Sequence, residues 1–156
     1  MEMEDKTMET KFKYQQQLDE LLAMGCQLPD LFAPNDMQAC RFAFSGEGHV
    51  NHVPQYMSNP KRMLQDMGKG KANTSLLSLS CFDTAEKAES FFTNLCKAFK
   101  NAANSIGDSL SEGHLANEYG RKTSTADNVH FDFYEYESCD LNKTFQITKN
   151  LMANTI

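Results

Sequence analysis

Between Asp83 and Gly107 the apolar residues Ala88, Phe91, Phe92, Leu95, Cys96, Phe99, Ala102 and Ala103 recur every third or fourth position, which lays one stripe along a helix. No other stretch restricts the fold so strongly, because such a stripe has to be covered by a sheet or by other helices. Asp83 followed by Glu86 is a capping-box start and Gly107 a stop, so the pattern predicts one long amphipathic helix over about 84–104.

The stretches around it read at a different period. Cys40, Phe42 and Phe44 alternate with Ala39, Arg41 and Ala43, as a half-buried strand over 39–44 requires. A second strand is expected over 74–82, with Leu77, Leu79 and Cys81 opposing Leu76, Ser78 and Ser80. Aromatic content makes 129–137 a third, with Phe131 and Phe133 facing one way and Tyr134 and Tyr136 the other. The segment 143–148 reads as a further strand, and the glycine-dotted stretch 107–127 as an irregular hairpin.

Before the first strand, Phe12, Leu18, Leu21, Leu22 and Met24 predict an N-terminal helix over 11–24 that stops at Gly25. Asn59-Pro60 is an N-cap and N1 pair for a short helix that runs to Gly68. The expected class is therefore α+β, with a mixed or antiparallel sheet of about four or five strands packed with the long helix and the N-terminal one. Residues 1–10 are expected to be a frayed acidic tail and 11–156 a single domain.

Charge narrows the partners. With 15 Lys+Arg against 21 Asp+Glu the net charge is −6, which disfavours non-specific nucleic-acid binding. Apolar runs such as Leu21-Leu22 and Phe91-Phe92 are far shorter than the roughly 20 residues of a membrane span, so no membrane partner is expected. Five cysteines, odd in number and without a C-x-x-C spacing, fit reduced thiols better than a disulfide framework. Together with the acidic start Met1-Glu2-Met3-Glu4-Asp5, this leads to the expectation of a cytoplasmic protein.

Several residue sets could carry chemistry. Arg41 on one strand, Ser78-Leu79-Ser80 on a second that leads into the helix, and Glu135-Tyr136-Glu137 closing a third form one order. That order is similar to the R, S-x-S, E-x-E pattern of the arginine-type ADP-ribosyltransferases. The resemblance implies NAD, with Arg41 gripping its phosphates, Ser78 or Ser80 positioning groups, Glu137 as the catalytic carboxylate and Glu135 assisting the acceptor.

His49 and His52, with Cys40 or His114 beside them, could hold zinc, but a closed site needs four ligands and no second local pair exists. The expectation is no metal. His130 beside Cys139 could activate a thiol. Lys61, Arg62, Lys69 and Lys71 could gather an anion, although the P-loop spacing is lacking. Tyr56 and Met57 in the loop 45–58, with His130, Asp132, Tyr134 and Tyr136 on one strand face, combine aromatic area with polar tips, as protein interfaces do.

No convergent catalytic set is evident. The first expectation is a small cytoplasmic binding protein of the inhibitor, immunity or accessory kind, without cofactor, meeting another protein through the tyrosine-bearing face and the loop 45–58. The alternative is an ADP-ribosyltransferase-like enzyme using NAD with Arg41, Ser80, Glu135 and Glu137.

Overall fold

The computed structural model describes residues 11–46, 48–125 and 129–152. In sequence order these residues form helix α1 (Gln15–Ala23), strand β1 (Met37–Ala43), short helices α2 (Gln55–Ser58) and α3 (Pro60–Gly68), a 3-10 turn (Thr74–Leu77) and β2 (Leu79–Cys81). Then follow α4 (Ala85–Ala98), α5 (Ala102–Ile106), β3 (Ser109–Leu115), a second 3-10 turn (Asn117–Tyr119), β4 (Gly120–Lys122), β5 (Phe131–Glu135), α6 (Leu141–Thr144) and β6 (Gln146–Asn150).

The class is α+β, but the strands do not make one sheet. They make two antiparallel sheets of three strands each, ordered β1-β3-β6 and β2-β5-β4. An isolated bridge joins them: the Cys40 N–H donates to the Phe82 carbonyl at 2.8 Å and the Phe82 N–H to the Cys40 carbonyl at 2.9 Å. Over its described part, 107–125, the stretch expected to be a hairpin is none, since β3 lies between β1 and β6 whereas β4 pairs with β5.

The helix expected over 84–104 is two helices, with Phe99 extended between them at φ −135 and ψ 119. Asn101, a residue that favours caps over helix interiors, stands at the N-cap of α5. The redirected α5 delivers Gly107 against β1, where a Cβ would lie 2.5 Å from the Ala43 carbonyl oxygen and φ is +122. Glycine alone fits that approach. The cap of α4 also differs from the capping box: the Thr84 side chain accepts the Lys87 N–H at 3.1 Å, and Asp83 pairs with the Lys87 ammonium at 3.0 Å.

Local side-chain bonds shorten the expected strand over 74–82. The Asn73 side chain accepts the Ser75 N–H at 2.9 Å and the Ser78 hydroxyl donates to the Ser75 carbonyl at 2.6 Å, closing a turn that leaves Leu79–Cys81 to pair. At the C-terminal side Asp140 caps α6 by accepting the Asn142 N–H at 3.1 Å, which moves the last strand from 143–148 to Gln146–Asn150. The Asn59 cap of α3 is as expected, accepting the Arg62 N–H at 3.3 Å.

Apolar packing ties the parts together. One cluster draws Ala39, Leu115 and Phe145 from the first sheet's region and Leu79, Phe131 and Phe133 from the second, so the two sheets share a buried face. On the other face Ala88 and Phe92 of α4 pack against Cys40 and Phe82. Full burial of a side chain like Phe92 contributes about 1.5–3 kcal/mol. The rest of the α4 stripe is less well covered, with Phe91 and Phe99 exposed. Among the described residues no helix is long and apolar enough to cross a membrane.

Candidate functional site

Backbone parity explains the main cleft of the molecule. In antiparallel strands a residue's N–H and C=O point to the same side, and the side alternates along the strand. Cys40 and Phe82 point at each other, so two positions on, Phe42 and Ser80 should form the next bonded pair. They do not. The Ser80 carbonyl instead accepts from Nη1 of Arg41, while the Phe42 N–H, the Phe42 carbonyl and the Ser80 N–H have no partner among the described residues.

One step further, Asn51 replaces the missing strand. Its Oδ1 accepts the Phe44 N–H at 2.8 Å and its Nδ2 donates to the Phe44 carbonyl at 3.1 Å. The sheets are thus wedged apart by Arg41, and a cleft of about 470 Å³ opens between the diverging strands. Phe42, Phe82, Phe91 and Leu95 give it an apolar wall, and His52 and Val53 of the loop after β1 line it too.

Arg41 is held by an unusual acceptor. Its Nε donates to Nδ1 of His52 at 2.9 Å. Because arginine does not give up its proton, Nδ1 is the bare nitrogen and the imidazole is neutral with its proton on Nε2. Burial, reinforced by the Arg41 charge, pushes the His52 pKa down to about 3. The ring stands edge-on to Phe145 at 5.6 Å, and His52 adopts φ 63, a left-handed conformation uncommon outside glycine.

The other members of the R, S-x-S, E-x-E order lie elsewhere. Ser78 and Ser80 line the cleft with Arg41, but neither Glu135 nor Glu137 does. Glu135 is 4% exposed, with Oε2 3.3 Å from Nζ of Lys13 and Oε1 buried without a partner. Burial raises its pKa against the pull of Lys13 and, more weakly, of Arg41. Lys13 Nζ also donates to the Cys139 carbonyl at 2.7 Å. Glu137 is exposed, and its N–H donates to the Lys11 carbonyl at 3.0 Å.

The tyrosine-bearing face is largely covered. Tyr56 is 1% exposed, its hydroxyl donating to Asp66 at 2.8 Å, and Met57 packs against the cluster around it. Tyr134 is buried, and Phe12 packs against both it and Tyr136, at 6.2 and 5.3 Å between ring centroids. Asp132 is half-buried, which raises its pKa against the pull of His130. These side chains build the interior more than they offer a surface.

The remaining sets do not assemble. His49 stacks on Phe44, His52 sits with Arg41, and His114 meets Asp36 at 3.3 Å on the surface. Among the described residues no group of three His, Cys, Asp or Glu side chains is placed to hold a metal. Cys139 lies by Glu135, with its thiol pushed up to about 12 by burial and that carboxylate, while His130 flanks Phe82. Arg62 pairs with Asp66 at 3.6 Å, and Lys61, Lys69 and Lys71 are exposed.

Sequence reasoning singled out Arg41, Ser78 and Ser80, which line one cleft, but missed His52 as the acceptor of Arg41 and Asn51 as a strand surrogate. The only signal for Asn51 is the general habit of asparagine side chains of bonding nearby backbone. No family model matches the protein, and neither a curated protein nor a solved structure is significantly similar to it.

Proposed function

We propose that this protein is a non-catalytic binding protein that captures an extended segment of another protein as an added strand in the cleft between β1 and β2. The observation that carries the reading is the set of unpaired backbone groups at Phe42 and Ser80. An unpaired sheet edge is a ready template for another strand, and strand addition is a recurrent mode of peptide recognition.

Apolar surface next to the cleft favours the same reading. A second groove of about 560 Å³ between α4 and α5 shares Leu95, Ser105 and Ile106 with the cleft, and Phe99 at its rim is 63% exposed. Together they offer side-chain pockets beside the backbone template. Val50, His52 and Val53 of the loop 45–58, which was expected to meet a partner, line the cleft, and in this reading the cleft takes the place of the tyrosine face. ADP-ribosyl transfer is less well supported, because the Glu135 carboxylate is committed to Lys13 and neither glutamate lines the Arg41 cleft.

The test is hydrogen exchange with a peptide selected from a displayed random library. Strand addition slows exchange at the Phe42 and Ser80 amides and leaves the exposed amides of α3 unchanged. Selected peptides that bind yet leave both cleft amides exchanging at the free rate would sink the idea. A melt with millimolar NAD tests the enzymatic alternative: a midpoint rise of several degrees that disappears in Arg41→Ala would favour it.

A further inference from the structure

Resting on strand addition at this cleft, we infer that the captured segment is the C-terminus of its protein, its free carboxylate held by Arg41 at the closed end. The cleft is blind on one side. The Cys40–Phe82 bridge ties β1 to β2 there, so an added strand entering from the Phe44 side cannot run on past it. An internal segment would have to turn back inside the cleft, but a terminus simply ends.

The charge at that end fits one terminus and not the other. Arg41 directly follows the bridging Cys40 and lines the cleft. Arginine carries five N–H donors. His52 and the Ser80 carbonyl take two and the buried Cys81 thiol faces the guanidinium as well, which still leaves donors for a ligand. No carboxylate among the described residues lies within ion-pairing distance of the guanidinium.

His52 strengthens the arrangement. Its neutral ring takes a hydrogen bond from Arg41 without cancelling the positive charge. With Nδ1 occupied, the proton on Nε2 is a second donor in the cleft lining, and no described residue accepts it. A carboxylate would meet charge-assisted donors beside an apolar wall, where such bonds are stronger than in water. An ammonium terminus would meet like charge.

Side-chain preference follows from strand geometry. Successive residues of an added strand point to opposite faces. One set would face Phe82, Phe91 and Leu95, and the alternate set His52 and Val53. At about 3.3 Å per residue, a cleft of this size takes the last three or so residues of a peptide, with apolar side chains preferred.

Acetylated tetrapeptides with Val, Leu, Ile or Phe at every position are the probe, made as free acids, as C-terminal amides, and as internal segments flanked on both sides by Gly-Ser linkers. The free acids are expected to bind at least about tenfold more tightly than either other form, the scale of a charged hydrogen bond. Folded Arg41→Gln, checked by circular dichroism, should narrow that ratio to under about threefold. Acid and amide binding alike, with the Phe42 and Ser80 amides protected, overturns the carboxylate and leaves strand addition standing. Binding by none of the three forms overturns both. An acid preference undiminished in Arg41→Gln removes Arg41 from the role; were that variant unfolded, the comparison of forms on the wild-type protein decides.

Discussion

Lys13 and Arg41 are both half-buried basic side chains, and they are handled in opposite ways. Lys13 meets the Glu135 carboxylate at 3.3 Å and the Cys139 carbonyl at 2.7 Å, so its charge is answered within the protein. Arg41 meets a neutral imidazole and a backbone carbonyl, and among the described residues it forms no ion pair. The first arrangement fastens a segment; the second keeps a cation available.

Acid should separate them most clearly. The folded His52 pKa of about 3 lies below the ordinary 6.5, so the unfolded protein takes up the proton first and stability is lost as pH falls from about 6.5 towards 3. The limit for this group is about 5 kcal/mol, read by urea titration across that window. Asp108, whose pKa is lowered by bonds from Ser45 and Ser109 against its burial, loses stability in the same direction. The raised carboxyls of Glu135 and Asp132 act oppositely, gaining as pH falls. His52→Gln should flatten the slope between pH 6.5 and 4; an unchanged slope would place the acid sensitivity elsewhere.

The next effect belongs to the fastening pair. Lys13→Met leaves Glu135 buried without its cation, at a cost of about 2–3 kcal/mol at pH 7. The carboxyl then titrates higher still in the folded state, so the deficit should shrink on lowering the pH to 5. A deficit equal at both pH values would show that Lys13 contributes packing and not charge.

Arg41→Gln should cost only about 1 kcal/mol in the same assay, since it removes two hydrogen bonds at a half-buried position. Its larger consequence is the loss of carboxylate discrimination. Smallest of all is Phe99→Ser, within about 0.5 kcal/mol because the ring is mostly exposed. That variant should nevertheless weaken peptide capture if the groove beside the cleft takes part, and a surface plasmon resonance titration reads this directly.

Much of the scaffold was legible locally. The start of α4, the Asn59-Pro60 helix and the aromatic β5 follow from periodicity, capping and strand composition acting within a few residues. The breaks were not. Phe99 leaves the helix although the apolar stripe continues through Ala102 and Ala103, because the backbone must bring Gly107 against Ala43, a contact that periodicity does not contain. Leu77, Leu79 and Cys81 alternate like a strand, yet the Asn73 and Ser78 side chains close a turn over half of it.

At the site, strand parity put Ser78 with Ser80 and Glu135 with Glu137, but which strands adjoin is set by distant pairing. β2 and β5 do pair, and Glu135 still turns to Lys13, 122 residues away in the sequence. The tyrosine face failed for the same reason. Its cover is Phe12, whose bridge to Tyr136 could not be read from either segment alone.

That bridge also bears on the order in which the fold is completed. The Lys13 N–H bonds the Glu135 carbonyl, and the Glu137 N–H the Lys11 carbonyl. Residues 11–13 therefore leave the ribosome well before the strand that receives them exists. Until β5 emerges, Phe12 has no seat, and once it does, Tyr134 and Tyr136 stay bare until the early segment docks. Contacts so far apart in sequence slow folding, and a nascent polypeptide that exposes such rings depends on chaperones longer than one closed by neighbouring elements.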